Sequence, residues 1–254
     1  MIKNLWMQHA EELAEAYTRH DNSVRFELVT RALNGYLAAT PQRIVDIGGG
    51  YGYQAIMLAR AGHSVVIVDI DPNMLDVARY KVSSELLDVR SRIGFVLGDG
   101  ADAVSLVGGD FDLACCHSVL MYQDDPAPIL HSLVNLVHPN GLISVLCINR
   151  EASAMRSGLQ GRWKEAIRSI NAGRQIDDQY LPTYEHTRGE VIATIKSAGA
   201  NVVDWYGVGV FTDHVTEPIV VDDPEDVYMA EWLAGSRDPY RQVARCFHII
   251  AERV

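Results

Sequence analysis

The sequence predicts an open α/β domain, a parallel sheet with helices on both faces. Three observations carry that expectation. Short β-branched runs alternate with amphipathic segments across short connections, the first run empties directly into glycines, and acids end three successive runs. The 254 residues suit one elaborated domain over 1–254. Apolar residues at 48% and charged residues at 22% are enough for a substantial core.

In chain order, N-terminal helices are expected within residues 1–40, at Asn4–Tyr17 and Ser23–Leu37. In the second, Val24, Leu28, Ala32 and Leu33 recur at helical spacing. Arg43–Ile47 reads as a buried strand, followed by a helix Tyr53–Ala61 that Gly62 ends. Ser64–Asp69 is almost wholly β-branched, as a strand covered on both faces should be. Pro72 opens a helix that extends to about Leu87. Strands follow at Ile93–Leu97 and Phe111–Cys116, then a helix Pro126–Val137, a turn at Pro139-Asn140-Gly141 and a strand Leu142–Ile148. The rhythm breaks over 149–187, a cap insertion, and resumes with the helix Arg188–Ser197 and the strand Asn201–Tyr206. A second, irregular insertion at 207–240 precedes a last strand, Cys246–Glu252.

The segment Val45-Asp46-Ile47-Gly48-Gly49-Gly50-Tyr51-Gly52 turns a strand into a helix through bare backbone. Such a loop lets a ligand approach amides at a helix N-terminus. Gly50-Tyr51-Gly52-Tyr53-Gln54-Ala55 also fits G-x-G-x-x-A, the dinucleotide fingerprint. Asp46, just before the glycines, would repel a pyrophosphate and suits a cationic ligand instead. Asp69 ends the second strand, where a carboxylate can accept from both ribose hydroxyls. Asp99, in Gly98-Asp99-Gly100-Ala101, ends the third, where an acid can accept from an adenine amino group. The bland reading, in which glycines make a turn and acids cap helices, fits single residues such as Asp71 better than the whole set.

These segments, together with Asp69-Ile70-Asp71-Pro72-Asn73-Met74, resemble the cofactor motifs of class I S-adenosylmethionine-dependent methyltransferases. The resemblance implies a Rossmann-like seven-stranded sheet in the order 3-2-1-4-5-7-6 with the last strand antiparallel. It implies S-adenosyl-L-methionine as cofactor, bordered by Gly48, Gly50, Gly52 and Gly100, with Asp69 at the ribose, Ile70 against the adenine and Asp99 at its amino group. A narrower likeness, along nearly the whole chain, is to the tRNA 5-carboxymethoxyuridine methyltransferases and relatives of unassigned substrate. It rests on Val24-Arg25-Phe26, His117-Ser118-Val119-Leu120-Met121-Tyr122, Gly207-Val208-Gly209-Val210-Phe211-Thr212-Asp213 and Phe247-His248-Ile249. By that likeness Arg25 pairs with the cofactor carboxylate and His117 lies beside the methionyl end. The tRNA enzymes carry an arginine where this chain has Gly209.

Methyl transfer needs an in-line approach and a competent lone pair. A carboxylate acceptor is already ionised, whereas a phenol or amine usually needs a general base. His117 is the candidate base, against a bland reading as a loop histidine touching cofactor. Tyr122 shapes the acceptor pocket or packs beneath its loop. Tyr17, Asn149 and Arg150 are candidate acceptor contacts. Arg150 opens a stretch to Arg174 with six basic residues and two acids, while Asp213–Glu231 holds seven acids and no Lys or Arg.

The net charge of −11 argues against broad nucleic-acid binding. The four cysteines lack metal-like pairing, and no apolar run reaches the roughly 18 residues that span a bilayer. The expectation is a reduced, cytoplasmic enzyme, without metal or membrane partner, acting on a small anionic acceptor. A tRNA acceptor is the alternative; a noncatalytic cofactor-binding protein and a nicotinamide oxidoreductase rank below it.

Overall fold

The computed structural model describes residues 20–172, 175–177, 182–216 and 221–254. Tyr17 and the predicted helix Asn4–Tyr17 lie outside them. The described chain opens with helix α1 (His20–Asn34), then β1 (Arg43–Ile47), α2 (Tyr53–Arg60), β2 (Ser64–Asp69), α3 (Pro72–Ser83), α4 (Leu87–Arg90) and β3 (Ile93–Leu97). Next come α5 (Ala103–Val107), β4 (Phe111–His117), α6 (Ala127–Leu136) and β5 (Val137–Ile148). The cap insertion carries α7 (Met155–Leu159), α8 (Trp163–Asn171) and the strands β6 (Gln175–Asp177) and β7 (Pro182–Tyr184). The chain ends with α9 (Arg188–Ser197), β8 (Ala200–Val208), α10 (Pro224–Gly235) and β9 (Cys246–Arg253).

Seven strands form one sheet in the order β3-β2-β1-β4-β5-β9-β8, and β6 pairs with β7 in a separate hairpin. With that hairpin set aside, the order is the expected 3-2-1-4-5-7-6. β1 to β5 pair in parallel, and β9 runs antiparallel to both β5 and β8. Alternate strand residues supply two cores, as the pleat demands. Val45, Val145 and Ile249 face α6 and α9, while Ile44, Leu146 and Ile250 face α1, α2 and α3. Both faces are therefore covered.

Helix ends follow local chemistry. The Asp71 side chain accepts from Asn73 N–H at 2.8 Å, with Pro72 in the first turn of α3. Thr187 and Glu190 close a reciprocal capping box on α9. Gly62 takes φ +102 just past α2, the left-handed position that favours glycine.

Three expectations need correction. The helix from Pro72 stops at Ser83, short of Leu87, and α4 follows as a separate turn. At the break the Ser83 hydroxyl donates to the Tyr80 carbonyl at 2.6 Å, and such side-chain bonds compete with helix continuation. The second insertion is not irregular throughout, because Asp223-Pro224-Glu225 opens the three-turn α10, with Asp223 accepting from Glu225 N–H at 2.9 Å. α6 passes directly into β5, and the expected turn becomes a break in pairing between Phe111 and Leu113, with Asn140 at φ +65.

Candidate functional site

A cavity of about 440 Å³ opens at the carboxyl ends of β1 to β4. β1 and β4 flank the point where strand order reverses, the usual ligand crevice of open α/β sheets. Arg25, Asp46, Gly48, Gly50, Asp69, Ile70, Asp99, Gly100, His117 and Tyr122, all anticipated above, line it. Gly52 does not. A Cβ there would stand 3.3 Å from that of Ala78, so this glycine, at φ +75, seats α2 against α3.

The glycine loop is shaped by what surrounds it. A side chain at Gly48 would collide with Val119, and one at Gly100 with Ile47, so both positions keep neighbouring elements close. Gly50 differs. A Cβ there would have only the Gly48 carbonyl near it, at 3.9 Å, leaving its surroundings open toward the cavity.

The three acids occupy distinct states. Asp69 Oδ2 accepts from Gly50 N–H at 2.9 Å and Oδ1 from Asp71 N–H at 2.9 Å, which ties the end of β2 to the glycine loop. Burial raises its pKa, and those two amides oppose the shift by favouring the carboxylate. Asp99 is exposed and caps the turn after β3, accepting from Ala101 N–H at 2.9 Å. Asp46 is 2% exposed and its Oδ2 has no hydrogen-bond partner. Burial, then the neighbouring Asp69 charge, lifts its pKa to about 7.

Past β4 the chain presents His117 and Ser118. Ser118 holds φ +60, uncommon for a residue with a Cβ, and its hydroxyl accepts from Arg25 Nη1 at 2.9 Å. His117 Nε2 meets Ser144 Oγ at 2.8 Å, and that hydroxyl meets His248 Nε2 at 2.7 Å. Nδ1 of His117 is buried without a partner. Burial, then the charges at His248 and Arg25, hold His117 well below the ordinary imidazole range. Nε2 is thus engaged by Ser144, while the ring itself lines the cavity.

Asn149 and Arg150 are not among the lining residues. Asn149 is fully engaged, its Nδ2 donating to the carbonyls of Gln242 and Ala244 and its Oδ1 accepting from Glu151 N–H. Arg150 lies near the buried Glu185, which also meets Arg245 at 3.4 Å. The cap reaches the cavity by another route. β7 packs on Leu120–Tyr122, and His186 Nε2 lies 2.9 Å from the Leu120 carbonyl, fixing the turn that carries Tyr122.

The sequence reading missed an aromatic rim. Tyr53 lines the cavity with Phe26, ring centroids 5.4 Å apart, and its hydroxyl accepts from Lys81 Nζ at 2.7 Å. The one available signal was an aromatic residue directly after the last glycine of the loop.

S-adenosylmethionine suits these residues on two observations. A buried, partnerless carboxylate oxygen at Asp46 matches a ligand bearing an ammonium and a sulfonium, and the open side of Gly50 leaves backbone bare for close approach. Among the described residues no cluster of His, Cys, Asp and Glu could hold a metal ion, and no helix is long and apolar enough to cross a membrane.

Comparison with known proteins agrees with this geometry. Residues 45–145, which span the glycine loop and all three acids, match the methyltransferase domain family. The chain is 26% identical to the tRNA 5-carboxymethoxyuridine methyltransferase of Escherichia coli, covering 96% of this chain and 95% of that one. It is 27% identical to the ubiquinone biosynthesis O-methyltransferase of Xylella fastidiosa over 74% of this chain and 70% of that one. In fold it resembles the magnesium protoporphyrin IX methyltransferase of Synechocystis, solved with bound S-adenosylhomocysteine, with a TM-score of 0.64 at 14% identity across 100% and 98% of the two chains. The chain thus threads this loop through the sheet of the class I S-adenosylmethionine-dependent methyltransferase fold, and its residues 45–145 match the methyltransferase domain family.

Proposed function

We propose that this methyltransferase acts on an oxygen or nitrogen of a small, anionic acceptor enclosed between the cavity and the cap insertion 149–187. The bound cofactor supplies an electrophilic methyl group on a sulfonium. Arg25 would hold its carboxylate, Asp46 its cationic methionyl end, Asp69 the ribose, Ile70 the adenine face and Asp99 the adenine amino group. Tyr122 would form the acceptor wall.

The observation that carries the reading is the state of His117. With Nε2 tied to Ser144 and burial holding the ring well below the ordinary imidazole range, this imidazole is poorly suited to collect a proton from an acceptor. An acceptor that arrives ionised needs no such group, and positioning then supplies much of the rate. His117 would accordingly serve as a wall and hydrogen-bonded support, the bland one of its two readings. Arg150 would act as a charge at the mouth, attracting an anion rather than contacting it in the cavity.

A second reading, esterification of the carboxymethoxy group of a tRNA wobble uridine, is favoured by the full-length similarity to the Escherichia coli enzyme. Its acceptor, a carboxylate, likewise arrives ionised and needs no base. Incubating the protein with methyl-labelled cofactor and separated extract fractions distinguishes the two. The small-acceptor reading expects label in the acidic metabolite fraction and none in tRNA. Label in tRNA, released as methanol by mild alkali and accompanied by salt-sensitive tRNA binding, would replace it with the second.

A further inference from the structure

The charge asymmetry of the sequence resolves into two exposed helical stripes that the cavity does not use. On α8, Trp163, Ile167 and Ile170 lie on one face, 68%, 60% and 71% exposed, with Lys164 and Arg168 exposed beside them. Met155 and Leu159 of α7, on which α8 packs, continue the apolar surface. On α10, Met229 and Leu233 are 42% and 39% exposed one turn apart, with exposed Asp226 a turn earlier and Asp222 just before the helix. Each stripe covers eight residues, 163 to 170 and 226 to 233, or about 10 Å of helix. One is apolar and basic, the other apolar and acidic.

Both stripes flank one loop. Gln160, between α7 and α8, donates to the His214 carbonyl at 2.6 Å. From the other side, Glu231 of α10 accepts from the amides of Val210, Phe211 and Thr212 at 2.7 to 2.9 Å. Both helices are therefore anchored to the same loop, Gly209–His214. From this arrangement we infer that two copies of this chain form a two-fold dimer, with α8 of each lying on α10 of the other. An isologous pairing makes the contact twice and closes, leaving no stripe free to extend a chain of subunits. An anionic lipid surface, the rival occupant, would attract the basic α8 stripe but repel the acidic α10 stripe. The acidic stripe of a second copy offers local complementarity instead.

Light scattering during size exclusion, with the full chain at tens of micromolar, a concentration at which interfaces of standard size are well populated, is expected to give the dimer mass. Ile167→Glu with Ile170→Glu is expected to give the monomer with unchanged circular dichroism. Lys164→Glu with Arg168→Glu places acid against acid, and Asp222→Lys with Asp226→Lys places base against base, so each double variant alone should be monomeric. Mixed, they pair acid with base at both contacts, and the dimer should return. A monomeric parent chain overturns the inference, as does a dimer that either charge reversal leaves intact. A chain that stays monomeric yet sediments with phosphatidylglycerol vesicles, and loses that binding in Ile167→Glu/Ile170→Glu, would assign the α8 stripe to lipid instead.

Discussion

The two halves of the cavity are built in different ways. The cofactor half comes from the ends of β1, β2 and β3, where a few consecutive residues at each strand end supply both the backbone and the acids. The other wall is the Ser118–Gln123 turn past β4, held from outside the cavity by segments remote in sequence, β7 on Leu120–Tyr122 and His186 on the Leu120 carbonyl; farther out, Glu231 ties down the Val210–Thr212 amides. The first half holds one unsatisfied carboxylate oxygen, at Asp46, and the second consists largely of satisfied supports. Replacing Asp46 should therefore relieve strain, whereas removing a support should lose stability.

Asp46→Asn should show the largest effect. Burial lifts the folded pKa to about 7 from an ordinary 3.8, so the unfolded chain binds fewer protons than the folded one between those values. Stability from this group is complete below about 3.8 and lost as pH rises through 7. At pH 8 the ionised side chain costs up to about 4 kcal/mol, which Asn avoids. Chemical denaturation should find the variant more stable at pH 8, with the gain shrinking as pH falls toward 4, while calorimetry finds weaker cofactor binding. A gain independent of pH would mean that Asp46 is not the group responsible. His248, held to about 3 by burial, works the other way, its contribution being lost as pH falls below 6.5. The pH slope should therefore be read as a difference between variant and parent.

Among the supports outside the cavity, Glu231→Ala should cost about 3 kcal/mol, since three amides and the Thr212 hydroxyl lose a buried acceptor. Cofactor affinity should stay within about twofold, well under the 1.4 kcal/mol of a tenfold change. Loss of both together would show that the two halves are coupled more tightly than their separate construction implies.

That difference in construction also explains what the sequence made legible. Asp46, Asp69 and the glycine loop are local, and each strand end announces itself by a β-branched run meeting a glycine or an acid. The sheet order followed from the family resemblance, since alternation alone implies a parallel sheet without naming its neighbours. Asn149 shows where the reading stops. Its place at the end of β5 was right, but its carboxamide serves the Gln242 and Ala244 carbonyls, about ninety residues away along the chain and invisible to any local pattern. The aromatic rim failed for the same reason, because Phe26 and Tyr53 meet only when α1 packs against α2. α10 is a different case. Its Asp-Pro-Glu opening is an ordinary helix start, hidden by the acidity around it.

Asp69→Ala sharpens the comparison at its smallest scale. The side chain joins two elements, accepting from Gly50 N–H through one oxygen and from Asp71 N–H through the other. Its removal should free the glycine loop from the end of β2 and delete the acceptor proposed for the ribose. Loss of hydrogen bonds to a charged acceptor predicts cofactor binding weaker by at least about tenfold, or 1.4 kcal/mol. Asp69→Asn keeps one acceptor oxygen and should fall between the parent and Asp69→Ala. Arg150→Ala, outside the cavity, should leave cofactor affinity within about twofold and weaken only the acceptor's KM. If calorimetry found the Asp69 and Arg150 variants equal, the cofactor would not be read by the strand ends, and the division of the cavity into a locally encoded half and a tertiary half would fail at its central residue.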